Sequence, residues 1–338
     1  MRKLSKTDLR LLRAIFQERS TLAEVAKELD LSVSRVSAAV SRLEGMGFLE
    51  KSKIGRRVTI HFSDRIHMEN LKQMLTKNLQ VDRILTGAGL PILLTLMIPE
   101  MSRSNDAMDW SGLSKQDITM MSGISRVTIH QELNILMRTG SVFRTERCYR
   151  ISSKMRELRS FLKHYSQFLA LQTINEISRD SGISENKFIL QHTAGSELLI
   201  SGKFNTPLTG IENLEPTGIT KASIDNLQFL SESTYYHYSM SGRSLRAEDV
   251  IIDILLLDSS SPRYIAYSLL SILHFGPQVD HRYLLKLAKM NGVQQTVNTL
   301  YEYLDRFPLE KNEIPRGFPG AEEFRELCAL YGVRLNAE

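Results

Sequence analysis

The chain has 338 residues and 42% hydrophobic content, enough for two or three domains with ordinary cores, which excludes a disordered polymer. Its formal charge of +5 is unevenly spread: residues 1 to 180 hold 29 Lys and Arg against 19 Asp and Glu, a net of +10, whereas residues 181 to 338 hold 14 against 19, a net of −5. A polyanion is therefore expected to meet the N-terminal half.

The opening MRKLSKTDLR has no apolar run of the kind a secretory signal carries, and the most apolar window, GAGLPILLTLMIP, spans 13 residues where a membrane crossing needs about 20. That window reads as a buried core helix, and no membrane association is expected. Cys148 and Cys328 have no CxxC or Cys/His spacing near them, so neither a disulfide framework nor a zinc site is expected, and a cytoplasmic location suits both thiols.

In chain order, Leu9, Leu12, Ile15 and Phe16 mark a helix over Thr7–Gln17. Thr21, followed by Glu24 three residues on, has the pattern of a capping box for LAEVAKEL. A tight turn at Asp30 and Leu31 leads to a third helix capped by Ser32 and closed by Gly45 and Gly47. Two β-prone runs, Phe48–Lys51 and Arg57–Phe62, flank a short turn at Ile54 and Gly55 and predict a hairpin.

This order of helix, helix, turn, helix and hairpin over Leu4–Ser63 resembles the winged helix-turn-helix of MarR-like and ArsR-like regulators. The stretches LAEVAKELDLSVSRVSAAVSRLEGMGFLE and KSKIGRRVTI carry the resemblance. It implies binding of double-stranded DNA.

A shift of 93 residues brings a second copy into register, with Val36 over Ile129, Val40 over Leu133, Leu43 over Leu136 and Gly47 over Gly140. The copy reads SKQDITMMSGISRVTIHQELNILMRTG and is followed by the strand, turn and strand pattern SVFRTERCYRIS. Its first helix is predicted at Leu90–Met101, separated from the second by the polar insert SRSNDAMDWSG.

Helices are also expected at Ile66–Leu85, as a linker, and at Ser153–Ser178, where Met155, Leu158, Leu162, Tyr165 and Leu169 form one stripe. Phe161, Phe168 and Leu171 form an adjoining one. Such stripes fit either a homodimer through these connecting helices or packing within one chain.

From Glu185 onward, strands are predicted at Phe188–His192, Glu197–Ser201, Ser223–Leu230 and Thr234–Met240. Helices follow at Glu248–Leu257, Arg263–Phe275, Arg282–Met290, Val293–Arg306 and Glu322–Tyr331. The fold class expected is mainly α with α+β parts: winged helix-turn-helix domains at 1–64 and 87–152, linker 65–86, connecting helix 153–184, and an α+β domain at 185–338 ending in a helical bundle.

In a winged domain the third helix buries one stripe, here Val36, Val40 and Leu43, and presents the other to DNA. The outward residues Ser34, Arg35, Ser37, Ala38, Ser41 and Arg42 are small or basic; they let the helix approach base edges, and an arginine there can fork onto guanine. Lys51, Lys53, Arg56 and Arg57 surround the wing turn and suit phosphates. The competing reading is a solvated, serine-rich face in a winged domain that binds protein.

In the second copy the outward set is Arg126, Val127, Thr128, His130, Gln131 and Asn134, with Gln131 suited to adenine, and Arg144, Arg147 and Arg150 lie in the wing, diluted by Glu146. A packing module without DNA contact is the alternative there.

Enzyme signatures are sparse. HExxH, GxSxG and the Walker lysine loop are missing, so no cofactor is expected and the chain reads as a non-enzyme. Glu248, Asp249, Asp253 and Asp258 read as a solvated helix face because their spacing does not converge on one point. YYHY at Tyr235–Tyr238 reads as a strand with one face in the core, or as a stacking surface.

The runs FILQHTAGSELLISGKFNTPLTGIENLEPTGI, LRAEDVIIDILLLDSSSPRYIAYSLLSIL, YLLKLAKMNGVQQTVNTLYEYL and FPGAEEFRELCALYGV resemble the C-terminal domain of AbiEi-type antitoxin regulators, over Lys187–Val333. The resemblance implies a repressor of an operon that also encodes a nucleotidyltransferase-like toxin, with that toxin as a partner. The family usually has one winged domain, where this chain has two. The alternatives are an interaction scaffold whose winged domains contact protein, and a nucleotide-binding enzyme in the C-terminal domain.

Overall fold

The computed structural model describes residues 4–54, 57–77, 80–101, 112–204 and 208–335. The chain divides into two units, Met1–Met97 with Asp109–Leu171, and Ile98–Met108 with Gln172–Glu338. The fold class is as expected: mainly α with α+β parts and a winged helix-turn-helix at the N-terminus.

The first unit opens with α1 (Lys6–Phe16), α2 (Leu22–Leu29) and α3 (Val33–Gly45), then the hairpin β1 (Leu49–Ile54) and β2 (Arg57–Phe62). Local chemistry sets the helix starts. Ser5 and Asp8 form a capping box on α1, Thr21 and Glu24 form the expected one on α2, and the Ser32 hydroxyl accepts the Arg35 N–H. Each such cap contributes about 1 kcal/mol. Asp30 ends α2 in the left-handed region, φ 53°, which turns the chain sharply into α3.

The hairpin is antiparallel with Leu49 opposite Phe62 and Ile54 opposite Arg57, and Thr59 forms a bridge with Thr21 that ties the wing to the start of α2. Leu9, Leu12, Val25, Val36, Val40, Leu43 and Ile60 close the core.

The span Ile66–Leu85, expected as one helix, is two: α4 (Ile66–Thr76) and a single turn, α5 (Val81–Ile84). Its apolar period is too weak to hold one continuous buried face, and each piece buries its own side chains, Met68, Leu71 and Met74 in α4, Val81 and Ile84 in α5.

Next come α6 (Gly89–Met101), β3 (Leu113–Ser114), α7 (Lys115–Ser122), α8 (Arg126–Arg138), β4 (Val142–Thr145) and β5 (Cys148–Ile151). Residues 90 to 99 of α6 are all buried, as a core helix requires. The polar insert falls outside the described residues except for Gly112. The three strands pair in the order β3, β5, β4. Ser114 and Asp117 cap α7 reciprocally, and the Ser125 hydroxyl accepts the Thr128 N–H, the counterpart of Ser32 on α3. Val36, Val40 and Leu43 and the residues 93 positions later, Ile129, Leu133 and Leu136, are all fully buried. Gly47 and Gly140 share a positive φ of about 70°.

The long helix α9 (Arg156–Ser181) starts in the first unit and ends in the second. Its aromatic stripe is used within the chain. Phe161, Tyr165 and Phe168 pack on Phe48 and His67, and Leu158 and Leu162 are fully buried. Leu171 on the adjoining stripe stays exposed. The periodicity that fitted either a second chain or this one is thus accounted for, over its aromatic part, by intrachain packing.

The second unit carries a four-stranded antiparallel sheet, β6 (Phe188–Ala194), β7 (Glu197–Gly202), β8 (Leu214–Pro216) and β9 (Thr234–Ser239), ordered β6, β7, β9, β8. Between β8 and β9 lies α10 (Gly218–Ile224), and the strand predicted at Ser223–Leu230 is not formed: its first two residues end α10 and the rest is turn and irregular chain. The correction has a local reason: Leu227 and Phe229 are buried in alternation, which is the strand-like signal in the sequence, but Ser223 and Ile224 belong to the end of α10 and residues 225–230 form a turn and irregular chain.

Five helices complete the unit, α11 (Ala247–Leu257), α12 (Pro262–Phe275), α13 (His281–Met290), α14 (Gln294–Asp305) and α15 (Ala321–Leu330). Their order matches the helical bundle expected from Arg246 onward.

α11 overturns one expectation. Glu248, Asp249 and Asp253 are buried, and only Asp258 is exposed. Asp253 accepts from Thr217 Oγ1 at 2.6 Å and from His237 Nδ1 at 2.9 Å. The other ring nitrogen of His237 donates to Glu197 at 2.7 Å. Arg243 joins Asp249 at 2.9 Å and Glu197 at 3.3 Å, and Glu248 accepts from Arg246 and from the Asp280 backbone. A buried carboxylate is tolerated only when paired and hydrogen-bonded, and these carboxylates are. The network fastens α11 to β7 and β9.

Candidate nucleic-acid interface

On α3 the buried stripe forces the opposite face outward. Ser34, Arg35, Ala38 and Ser41 are exposed and Ser37 is half-buried, so no bulky side chain stands between the helix axis and a groove about 12 Å wide. Val33, half exposed at the first turn of α3, joins this face; the alternation of small and polar residues concealed it.

Two of the cations assigned to this module, Arg42 on α3 and Lys51 in the wing, have partners in the chain. The Arg42 guanidinium donates to Asp8, itself fully buried on α1, and Lys51 donates to Ser41 Oγ and Glu44 Oε2, both at 2.8 Å. Arg35 and Lys53 are exposed. Arg56 and the Arg57 side chain lie outside the described residues.

On the corresponding face of α8, Arg126, His130 and Gln131 are exposed, and Thr128 and Asn134 are half-buried. Val127, 69% exposed, adds an apolar spot of the kind that can meet a thymine methyl. Lys115 at the start of α7 donates to His130 Nδ1 at 2.7 Å, so a second cation stands at this face. Sequence gave no signal for Lys115, because only the turn between α7 and α8 brings residues 15 positions apart together.

In the wing, Arg144 Nε donates to the Glu146 carbonyl at 2.6 Å and lies over the Tyr149 ring, which holds the guanidinium near the hairpin tip. Arg147 is exposed beside it. The two modules therefore differ in chemistry: α3 offers hydroxyls, the exposed Arg35 and little bulk, and α8 offers the exposed Arg126 together with an imidazole, amides and the apolar Val127.

Away from this face, ionisation is set by burial and partners. Burial would lower His237, but Asp253 and Glu197 outweigh it and push the imidazole up to about 10. Burial lowers His67 to about 4 and pushes the Cys328 thiol up to about 11. Both cysteines are free thiols. Among the described residues, no group of three or more His, Cys, Asp or Glu is arranged to hold a metal ion. Nor is any described helix long and apolar enough to cross a membrane.

Residues 211–333 match a family model described as a C-terminal domain, HVO_2833_C. No curated protein and no solved structure matches the chain. Residues 4–50, which comprise α1 to α3 and the start of β1, match a family model described as winged helix-turn-helix DNA-binding. The N-terminal module is thus a winged helix of the DNA-binding class, which supports a regulator in preference to an enzyme.

Proposed function

We propose that the chain is a sequence-specific transcriptional regulator, of repressor type, that reads double-stranded DNA through α3 and α8 and holds phosphates with both wings. The observation that carries this reading is the exposed, small and basic face of α3, Ser34, Arg35, Ser37, Ala38 and Ser41, in a module matched as DNA-binding. The equivalent caps, buried stripes and closing glycines of α3 and α8 support a tandem repeat whose copies share a core and differ in their reading surface. Linking two modules raises the local concentration of the second at the DNA, so weak individual contacts add up to tight binding. A homodimer through α9 would have to use surface other than the aromatic stripe, which this chain covers itself.

Gel shifts on the protein's own upstream region test the reading. If about 6 to 10 phosphates are neutralised, affinity falls by about 10³ to 10⁵ between 50 and 200 mM salt. Arg35→Ala is expected to lower specific affinity by about tenfold and to relax preference at one base pair. Salt-independent binding, or an Arg35→Ala variant that binds like the parent, overturns the assignment of α3. The antitoxin role is supported by the resemblance of Lys187–Val333 to AbiEi-type regulators. Co-expression with a nucleotidyltransferase-like toxin from an adjacent gene tests that role, with neutralisation expected.

A further inference from the structure

The first unit contains a cavity of about 920 Å³ where the start of the N-terminal module meets α8. Its floor is a crossing of two chain segments: Leu4 bridges Thr86 in parallel, and the Gly87 N–H donates to the Leu4 carbonyl at 3.2 Å. Three cations border it, Lys6 from the first turn of α1, Arg83 from α5 and Arg138 from the last turn of α8. They face two carboxylates, Asp82 and Glu132, and Asp82 is already paired with Arg13. Hydroxyl groups from Ser5, Thr86 and Thr139 supply much of the rest. The volume suits a small molecule; Leu4 and Ile135 contribute apolar wall, and the excess of cations over carboxylates favours a ligand that carries negative charge. A ligand with several negative oxygens satisfies such cations by charge-assisted hydrogen bonds.

The position of the cavity gives it a further role. One wall is α8 itself. Opposite, Ser5 donates from its backbone and its hydroxyl to Asp8 Oδ2, both at 2.7 Å, and the other oxygen of Asp8 accepts from Arg42 on α3. An occupant touching Ser5 and Arg138 thus bears on the supports of both recognition helices.

We propose that this cavity binds a small, multiply charged anion bearing phosphate or carboxylate groups, and that occupancy changes the affinity for DNA. The second half rests on the DNA-binding reading above. By linkage, whatever factor the anion imposes on DNA binding, DNA imposes on the anion.

Calorimetry on the full chain without DNA, at constant ionic strength, tests the site with two probes, pyrophosphate and citrate. Saturable binding of at least one is expected, weakened at least tenfold in the double variant Arg83→Gln with Arg138→Gln. Binding of pyrophosphate alone assigns the phosphate class, and binding of citrate alone assigns the carboxylate class. No saturable binding of either, or unchanged binding in the folded double variant, overturns the site.

A gel shift with and without the bound probe tests the coupling. A change in DNA affinity of threefold or more in the parent, lost in the double variant, supports it. An unchanged affinity at saturating anion overturns the coupling while leaving the site. Failure to bind DNA even without anion overturns the DNA reading and the coupling that rests on it, and the calorimetry then judges the site alone.

Discussion

His67 in the first unit and His237 in the second are each removed from water, at 2% and 7% exposure. His67 sits among rings, with Phe48 edge-on at 5.5 Å, Tyr165 at 5.3 Å and Phe168 at 4.8 Å between centroids. Its Nε2 donates to the Gly47 carbonyl at 3.0 Å, and burial holds it neutral down to about pH 4. Both nitrogens of His237 face carboxylates, which only accept, so both carry protons and the ring is an imidazolium. The same side chain, buried to a similar degree, thus takes opposite charge in two environments. Partners rather than depth decide which form is kept.

Removing the cation should give the largest effect. His237→Leu leaves Glu197 and Asp253 buried without their common partner, and a loss of about 3 to 5 kcal/mol is expected in urea unfolding followed by circular dichroism. Adding Glu197→Gln and Asp253→Asn to that variant should restore part of the loss. If the triple variant is no more stable than the single one, His237 acts by packing and the contrast with His67 disappears.

The pH dependence has opposite sign at the two rings. His237 keeps in the folded state a proton that the unfolded chain releases above about 6.5, so its contribution is complete below that pH and is lost as pH rises through about 10. His67 is neutral when folded, and the unfolded chain takes up a proton below about 6.5. Acidification toward pH 4 therefore destabilises by up to about 3 kcal/mol. Proton NMR of the two Cε1–H signals between pH 4 and 10 checks both, with neither signal expected to titrate near 6.5.

A smaller change should move only one ring. At Gly47, φ is +71° and an added Cβ would stand 2.3 Å from the Phe168 ring. Gly47→Ala should cost about 2 kcal/mol, and by displacing Phe168 it should admit water to His67 and raise its pKa toward the ordinary value. The smallest effect is expected from Thr21→Ala, which removes the α2 cap at a cost of about 1 kcal/mol and should leave both histidine titrations unmoved.

Sequence was most informative where the deciding contacts are local. Thr21 with Glu24, Ser32 with Arg35, and the stripe of Val36, Val40 and Leu43 all lie within one or two helical turns, and each is found where its spacing placed it. The acidic face of α11 is the opposite case. Glu248, Asp249 and Asp253 resemble solvated residues until Glu197, His237 and Arg243 arrive from other elements, 16 and more residues away for the contacts of Asp253 and His237. Arg42 was legible as an outward cation of α3, but its pairing with Asp8 depends on a contact across 34 residues. The division of the linker into α4 and α5 and the irregular chain in place of a strand after Ile224 were hidden for another reason: short segments with three or four apolar residues fit more than one period.

The glycines that close α3 and α8 share a backbone conformation but not a neighbourhood. Gly47 lies under the Phe168 ring, whereas no described atom stands within 4 Å of where a Cβ at Gly140 would go. Asparagine and aspartate, which enter the left-handed region at modest cost, should therefore be accepted at 140 and rejected at 47. Two positions that began under one stereochemical constraint would then drift at different rates, the slower one governed by a ring that belongs to another helix.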